Sequence, residues 1–463
     1  MLIVLLTTLP SQASSLPASV TSLLKKYQVP ADAVSLTVRE VDAVNPLIAV
    51  NERVSRNPAS AIKIVTTLAA LELLGPHFQW QTRYFVNGPV VDGTVEGDLI
   101  VQGDGDPYLT VDKLWQHAVS LRLRGVHTIR GDLLIDNSAF SPPPHDRGAF
   151  DGQSQRLYNV GPSAVLSNFS ATRFVIEPSA GRINVFADPP LMNLNVDNGL
   201  KPAKGKCISR NSGWSYELRR TADGVTAAFR GTYRPRCGLH SISRSVLENN
   251  EYTYQLFRYI WQQLGGFLHG GVKEGQANGS DRMLVSHPSD DLASVIKGIN
   301  KYSNNVMARQ LLLTMGHRES GESATVASGI AAIRLWLDAS KLHMPSLSID
   351  NGSGLSRSSR ASTYGLSNLL VHAWKSTYQP EFMASLSLAA LDGTMRKRLK
   401  KSQLAGRVRI KTGLIKGVRS MAGYVHTRSN RHVAVAMMIE SSNVNYWIGN
   451  EIQDAVLRWV YQR

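Results

Sequence analysis

The feature that most constrains the fold is a change of texture along the chain. Between about Tyr84 and Gly275 the sequence reads as short strands split by Gly, Pro, Asn and Asp, while both flanks combine strands with long helices. On the N-terminal side, residues 34–38 alternate strictly between apolar and polar, and residues 47–50 form a second extended run placed to pair with them as a hairpin. Asn57-Pro58-Ala59 then breaks the chain, Ser60 opens an apolar helix through Leu74, and Gly75-Pro76 ends it. On the C-terminal side Leu292, Val295, Ile296 and Ile299 share one helical face. Strand runs follow at 421–427 and 433–439, and Ile448, Ile452, Val456, Trp459 and Val460 line one side of a final helix. Flanks that both supply strands to one core predict an α+β fold interrupted by an insertion. The core domain is assigned to residues 14–80 and 276–463, and the β-rich insertion, with two nested subdomains, to residues 81–275. Inside the insertion Gly97-Asp98-Leu99-Ile100-Val101 echoes Gly131-Asp132-Leu133-Leu134-Ile135. Without a fixed period, the echo predicts two similar hairpins, not a solenoid.

At 463 residues, with 43% hydrophobic and 19% charged, the chain can bury sizeable cores and is not of disordered type. No run of about 18 apolar residues occurs, which excludes a spanning helix. Residues 2–9 are apolar and lead to Pro10 and Ser11-Gln12-Ala13, so residues 1–13 read as an export signal, although no Lys or Arg precedes the run. Cys207 and Cys237 are the only cysteines. With His240 alone nearby they are too few for a metal site. They read as one disulfide closing a loop in an oxidising compartment, with two separate buried thiols as the alternative. The net charge of +16 implies diffuse attraction to a polyanion. Nucleic acid is set aside because no basic stretch is interleaved with aromatic residues and no known module is present.

Three short motifs carry chemistry. The first is Ser60-Ala61-Ile62-Lys63, where residues three apart on a helix bring the Lys63 amine against the Ser60 hydroxyl. A desolvated lysine can take the proton of an otherwise weak alcohol nucleophile. Ser22-Leu23-Leu24-Lys25 and Ser294-Val295-Ile296-Lys297 repeat the spacing but read as ordinary exposed helix positions. Ser60 differs in its proline-containing break and the almost uncharged helix behind it. The second motif is Ser303-Asn304-Asn305, a hydroxyl and a carboxamide able to relay a proton and hold a substrate amide. The third is Lys411-Thr412-Gly413, preceded by strand-like alternation. An ammonium beside a hydroxyl makes a carboxylate receptor, and Gly413 admits a substrate backbone.

In this order the motifs resemble those of the penicillin-interacting serine enzymes. More of the chain is similar to one branch, the class C low-mass penicillin-binding proteins of the D-alanyl-D-alanine carboxypeptidase/endopeptidase kind. The similarity includes Gly103-Asp104-Gly105-Asp106-Pro107, residues 158–166 and 300–305, Asp350-Asn351-Gly352-Ser353-Gly354-Leu355-Ser356-Arg357, Asp392-Gly393-Thr394 and Ala422-Gly423-Tyr424. The resemblance implies a penicillin-binding-protein/serine β-lactamase-like domain, an antiparallel sheet covered by helices. It implies Ser60 as acylated nucleophile, Lys63 as general base, and Ser303 and Asn305 as proton relay and substrate clamp. Lys411 and Thr412 would bind the terminal carboxylate, and the backbone N–H groups of Ser60 and Leu414 would form the oxyanion hole. Leu414 stands where the family often has Thr, which changes the lining but not a main-chain role. Peptidoglycan stem peptides and cross-links become the substrates, β-lactams the inhibitors, the periplasm the location, and no metal or organic cofactor is needed.

Between Thr394 and Lys411 lie eight basic residues and no acidic one. They read either as a peripheral contact with anionic wall or membrane, or as a solvated helix face. The competing functions are a serine β-lactamase or esterase on the same scaffold, and a non-catalytic wall-binding scaffold protein. The long insertion argues against the former and the intact motifs against the latter.

Overall fold

In the first of two compact units, six antiparallel strands form one sheet in the order Ser387–Leu388, Val408–Ile415, Val418–His426, His432–Glu440, Val34–Glu40, Ile48–Val50. The computed structural model describes residues 15–221 and 224–463. The export signal expected at residues 1–13 lies outside them. The N-terminal strand docks beside the last one in the register Val34↔Ile439, so both ends of the chain build one sheet. The expected hairpin is present, with Leu36 opposite Val50.

The central strands are buried on nearly every residue, because helices cover both faces. On one face Ala18–Lys26 and Tyr446–Tyr461 pack Val20, Leu24, Ile452, Val456 and Val460 against Met421, Val433, Val435 and Met437. Asn445 caps the final helix by accepting from the N–H groups of Trp447 and Ile448. On the other face the helix Thr363–Lys375 is capped by Ser362. It is pinned to the sheet by Tyr424 Oη, which donates to the Leu370 carbonyl at 2.6 Å. The helix Lys63–Leu74 is buried from Lys63 through Leu71, which explains its near-absence of charge. It ends at Gly75, whose φ of 80° suits glycine.

The units comprise the chain up to Pro76 with 296–304 and 332–463, and His77–Val295 with Asn305–Ala331. The second unit thus takes residues 77–80, 276–295 and 305–331, which the sequence reading had placed in the core domain. The reason is pairing and burial. Arg282–Pro288 pairs with Gln81–Val86, and in the helix Asn305–Ser320 Gln310 Nε2 donates to the Ser163 carbonyl at 2.7 Å while Arg309 holds the carbonyls of Tyr158 and Val160. This unit holds a five-stranded, a four-stranded and two three-stranded sheets around a core that includes Tyr84, Leu133, Phe174, Phe229 and Trp261.

The echoed segments are not two similar hairpins: Leu99–Gly103 does pair antiparallel with Gln81–Val86, with Val86 opposite Leu99, but Leu133–Asp136 has only parallel neighbours. Leu99–Gly103 and Leu133–Asp136 run parallel with Leu99 opposite Leu133, and Val272–Glu274 adds a third parallel rung. Parallel strands need a long crossover, and the helix Val111–Leu123 lies within it. The repeated Gly-Asp corners stack: Asp132 N donates to Asp98 Oδ1 and Gly271 N to Asp132 Oδ1, each at 2.7 Å. A Cβ on Gly131 would lie 2.2 Å from Asp98 Oδ1, so the corner admits only glycine.

Cys207 and Cys237 are joined as a disulfide across a sequence separation of 30. Among the described residues no helix is long and apolar enough to cross a membrane.

Candidate active site

The site in the first unit is built on a short 3-10 turn, Ala59–Ile62, that runs directly into the helix Lys63–Leu74. The sequence predicted an α-helix from Ser60. The tighter turn aligns residues three apart more closely, because side chains at i and i+3 eclipse in a 3-10 helix. Lys63 Nζ accordingly donates to Ser60 Oγ at 3.1 Å. Lys63 is fully buried, Ser60 half-buried, and the same amine donates to the Ser353 carbonyl. The turn is fixed from behind. Asn57 Oδ1 accepts from Ala59 N at 2.8 Å, and Asn57 Nδ2 donates to the Ser356 carbonyl at 2.9 Å. Ala59, just before Ser60, has φ of 43°, a left-handed conformation that costs a non-glycine residue about 1 kcal/mol or more.

The strand Val408–Ile415 passes alongside. Gly413 sits where a Cβ would come within 2.9 Å of Ser60 N, 2.8 Å of the Pro58 carbonyl and 2.1 Å of Ser420 Oγ. Glycine is needed here for close approach, not for an unusual φ. Ser420, opposite Gly413 on the next strand, donates to the Pro58 carbonyl and so ties the Ser60 turn to the sheet.

Lys411 is fully buried, and Nζ donates to Ser303 Oγ at 2.9 Å and to the Thr412 carbonyl at 2.6 Å. With no carboxylate partner among the described residues, burial pushes its pKa down to about 7. Thr412 Oγ1 donates to Thr394 Oγ1 at 2.8 Å, which presents two hydroxyls next to the ammonium. Ser303 has φ of 59°, so a second left-handed non-glycine residue flanks the site. Leu414 is 47% exposed, as its place on the open side of the strand requires.

The structure therefore brings together Ser60, Lys63, Ser303, Lys411, Thr412 and Gly413. Asn305 is buried at the start of the helix Asn305–Ser320, in the second unit. The two decoy motifs lie on solvent: Ser22, Lys25, Ser294 and Lys297 are all exposed. The Ser353 carbonyl and the hydroxyls of Thr394 and Ser420 were not singled out from sequence. Ser353 and Thr394 lie inside stretches that carried the family resemblance, whereas Ser420 had no local signal. The basic stretch is not a helix face: residues 396–407 are irregular turns. Arg398 is buried against Asp454 at 2.5 Å, leaving Arg396, Lys397, Lys400, Lys401 and Arg407 exposed.

Comparison with known proteins gives concordant likenesses. The chain is 27% identical over 396 residues to the D-alanyl-D-alanine carboxypeptidase DacB of Haemophilus influenzae, covering 82% of this chain and 80% of that protein. It is 26% identical over 387 residues to a D-alanyl-D-alanine carboxypeptidase of an Actinomadura species, covering 80% of this chain and 70% of that protein. The crystal structure of penicillin binding protein 4 from H. influenzae matches with a TM-score of 0.78 at 22% identity, over 96% of this chain and 99% of that one. The fold is thus that of a penicillin-binding protein, as the sequence implied. From Leu16 to Gln462 the chain matches, and belongs to, the D-Ala-D-Ala carboxypeptidase 3 (S13) family.

Proposed function

We propose that this protein is a serine D-alanyl-D-alanine carboxypeptidase, with endopeptidase action on cross-linked stem peptides, that works through an acyl-enzyme and is inhibited by β-lactams. The observation that carries the reading is the 3.1 Å contact between the buried Lys63 amine and Ser60 Oγ. In the neutral form Lys63 accepts the Ser60 proton as Oγ attacks the carbonyl of the penultimate D-alanine. The oxyanion is held by the N–H groups of Ser60 and Leu414. The proton passes through Ser303 to the departing D-alanine nitrogen, the C–N bond breaks, and an ester remains on Ser60. Water then attacks this ester; Lys63 takes its proton and passes it to Ser60 Oγ as the C–O bond breaks, which releases the shortened peptide and restores the serine. Asn305 clamps the substrate amide.

Lys411, charged, and the hydroxyl of Thr412 receive the terminal carboxylate, the equivalent group of a β-lactam taking the same place. A β-lactam complex of the H. influenzae protein supports this use of the fold. The chemistry needs only these groups and water. We place the protein in the periplasm, on peptidoglycan. The five exposed basic residues of 396–407 support a peripheral contact with anionic wall or membrane.

The test is release of D-alanine from a stem pentapeptide and cleavage of a cross-linked dimer into its two monomers. Turnover of the wild type, absent from Ser60→Ala, supports the reading. Turnover of a β-lactam without turnover of either peptide contradicts it.

A further inference from the structure

A chain of hydroxyl groups in the first unit ends on the carboxylate receptor, and counting its hydrogens gives it a direction. Thr412 Oγ1 donates to Thr394 Oγ1 at 2.8 Å, Thr394 Oγ1 lies 3.2 Å from Ser387 Oγ, and Ser387 Oγ donates to the Lys301 carbonyl at 3.1 Å. A hydroxyl has one hydrogen and two lone pairs, whereas a carbonyl only accepts. Ser387 gives its hydrogen to Lys301, so Thr394 donates to Ser387 and Thr412 donates to Thr394. In the free site the Thr412 hydrogen is therefore turned inward, away from a ligand. The far end of the chain is firmly held. Ser387 is fully buried and also accepts from Thr394 N at 3.3 Å. Asp392 fixes the turn that carries Thr394, accepting from Lys301 Nζ at 2.5 Å and from Leu388 N at 2.7 Å. A Cβ on Gly393 would lie 2.5 Å from both the Lys301 carbonyl and Ser387 Oγ, so glycine lets this turn close on the chain.

A carboxylate accepts and cannot donate, so Thr412 must turn its hydrogen outward to receive one. That turn leaves Thr394 Oγ1 without its donor and Thr412 Oγ1 open to accept. Rotation of the Thr394 hydroxyl from Ser387 to Thr412 satisfies both, while Ser387 keeps the Lys301 carbonyl and the Thr394 N–H. We infer that Thr394 is a positioning residue for the substrate carboxylate: a hydroxyl rotor that accepts from Thr412 in the free enzyme and donates to it when the anion is bound. A hydroxyl that accepts while it donates is the stronger donor, because linked hydrogen bonds polarise one another. The inference rests on the carboxypeptidase reading. It gives Thr394 an effect on substrate affinity, exerted only through Thr412, and none on acyl transfer.

The experiment is steady-state turnover of a stem pentapeptide by the wild type, Thr394→Val, Thr394→Ser, Thr412→Val and the double variant Thr394→Val/Thr412→Val. Valine keeps the outline of threonine and removes the hydroxyl, and serine returns the hydroxyl without the methyl. Thr394→Val should raise KM about fivefold with kcat within about twofold of the wild type, and Thr394→Ser should restore KM. Thr412→Val should raise KM about tenfold, and the double variant should be no worse than Thr412→Val alone. Wild-type KM in Thr394→Val, a fall in kcat at unchanged KM, no restoration by serine, or multiplied losses in the double variant would overturn the inference. Should Thr394→Val not fold, Thr394→Ala takes its place in the cycle. The same cycle is read on the concentration dependence of benzylpenicillin acylation, since that ligand also carries a carboxylate. A wild type that is acylated but leaves the peptide intact contradicts the carboxypeptidase reading alone, and the acylation cycle then decides the role of Thr394.

Discussion

Lys63 Nζ donates both to Ser60 Oγ, at 3.1 Å, and to the Ser353 carbonyl, so one buried amine links the Ser60 turn to the glycine-flanked segment behind it. Gly354, with φ of 74°, lets that segment approach: a Cβ there would lie 2.0 Å from the Ala59 carbonyl. Aim and burial of the base are thus set by the same packing.

Replacing Lys63 with Met keeps much of the buried volume and removes the base. Acylation by benzylpenicillin should fall about 1,000-fold or more, since the positioned base and the proton relay fail together. The orphaned Ser353 carbonyl should cost about 1–3 kcal/mol of stability. Stopped-flow acylation rates and thermal melts measure the two effects separately. Near-wild-type acylation would show that another group takes the proton.

Lys411 sets a pH dependence of binding. Its pKa, pushed down to about 7, means the free enzyme carries this charge below that pH and loses it above. A carboxylate ligand binds the charged form, so KM should rise as pH climbs through 7, by up to about tenfold per pH unit. Lys411→Ala should have a high KM with that slope removed. A KM profile flat from pH 6 to 9 in the wild type, on the order of the range the shift spans, would contradict this assignment.

Gly413→Ala tests the close approach of strand and nucleophile. The added methyl would overlap Ser420 Oγ at 2.1 Å and press on Ser60 N at 2.9 Å. Overpacking of this kind costs about 1–3 kcal/mol. Because the displaced atom is the nucleophile's own N–H, kcat should fall about 100-fold. A fully active Gly413→Ala protein would show that the strand can retreat.

The Cys207–Cys237 bridge closes a loop of 30 residues in the second unit. Chain entropy alone assigns it about 3–4 kcal/mol. The double variant Cys207→Ser/Cys237→Ser should melt several degrees lower by calorimetry, and an unchanged melting profile would show that the region is held by its core alone.

Much of the first unit was legible because its signals are local. The 34–38 alternation, the Pro58 break and the Gly75 stop each act within a few residues, and the final helix buries Ile452, Val456 and Val460 and half-buries Ile448 and Trp459 on the face their spacing required. The contacts of Ser60 with Lys63 and of Lys411 with Ser303 lie within or between motifs picked out from sequence, because each motif holds its own geometry. What escaped was long-range. The segment at Gly97 pairs antiparallel with the strand before it, but the one at Gly131 became a parallel rung beside it, because a Gly-Asp corner looks the same whether its partner strand is adjacent or far away, and the third rung at Gly270-Gly271 lacks the Asp altogether. The extent of the second unit depended on the distant pairing of Arg282–Pro288 with Gln81–Val86 and on the helix Asn305–Ser320, whose near-continuous burial removes the amphipathic stripe that would have shown its partner. Ser420 was invisible for the same reason, since its role comes from facing Gly413 across a strand pair.

The central claim is that Ser60 is acylated with Lys63 as its base. Intact-protein mass after brief exposure to benzylpenicillin, with Ser60→Ala and Lys63→Met alongside, tests it most directly. A single covalent adduct on the wild type, mapped to Ser60 and absent from both variants, is the predicted result. An adduct that survives in Ser60→Ala, or a folded wild type that forms no adduct and leaves the drug intact, would contradict it.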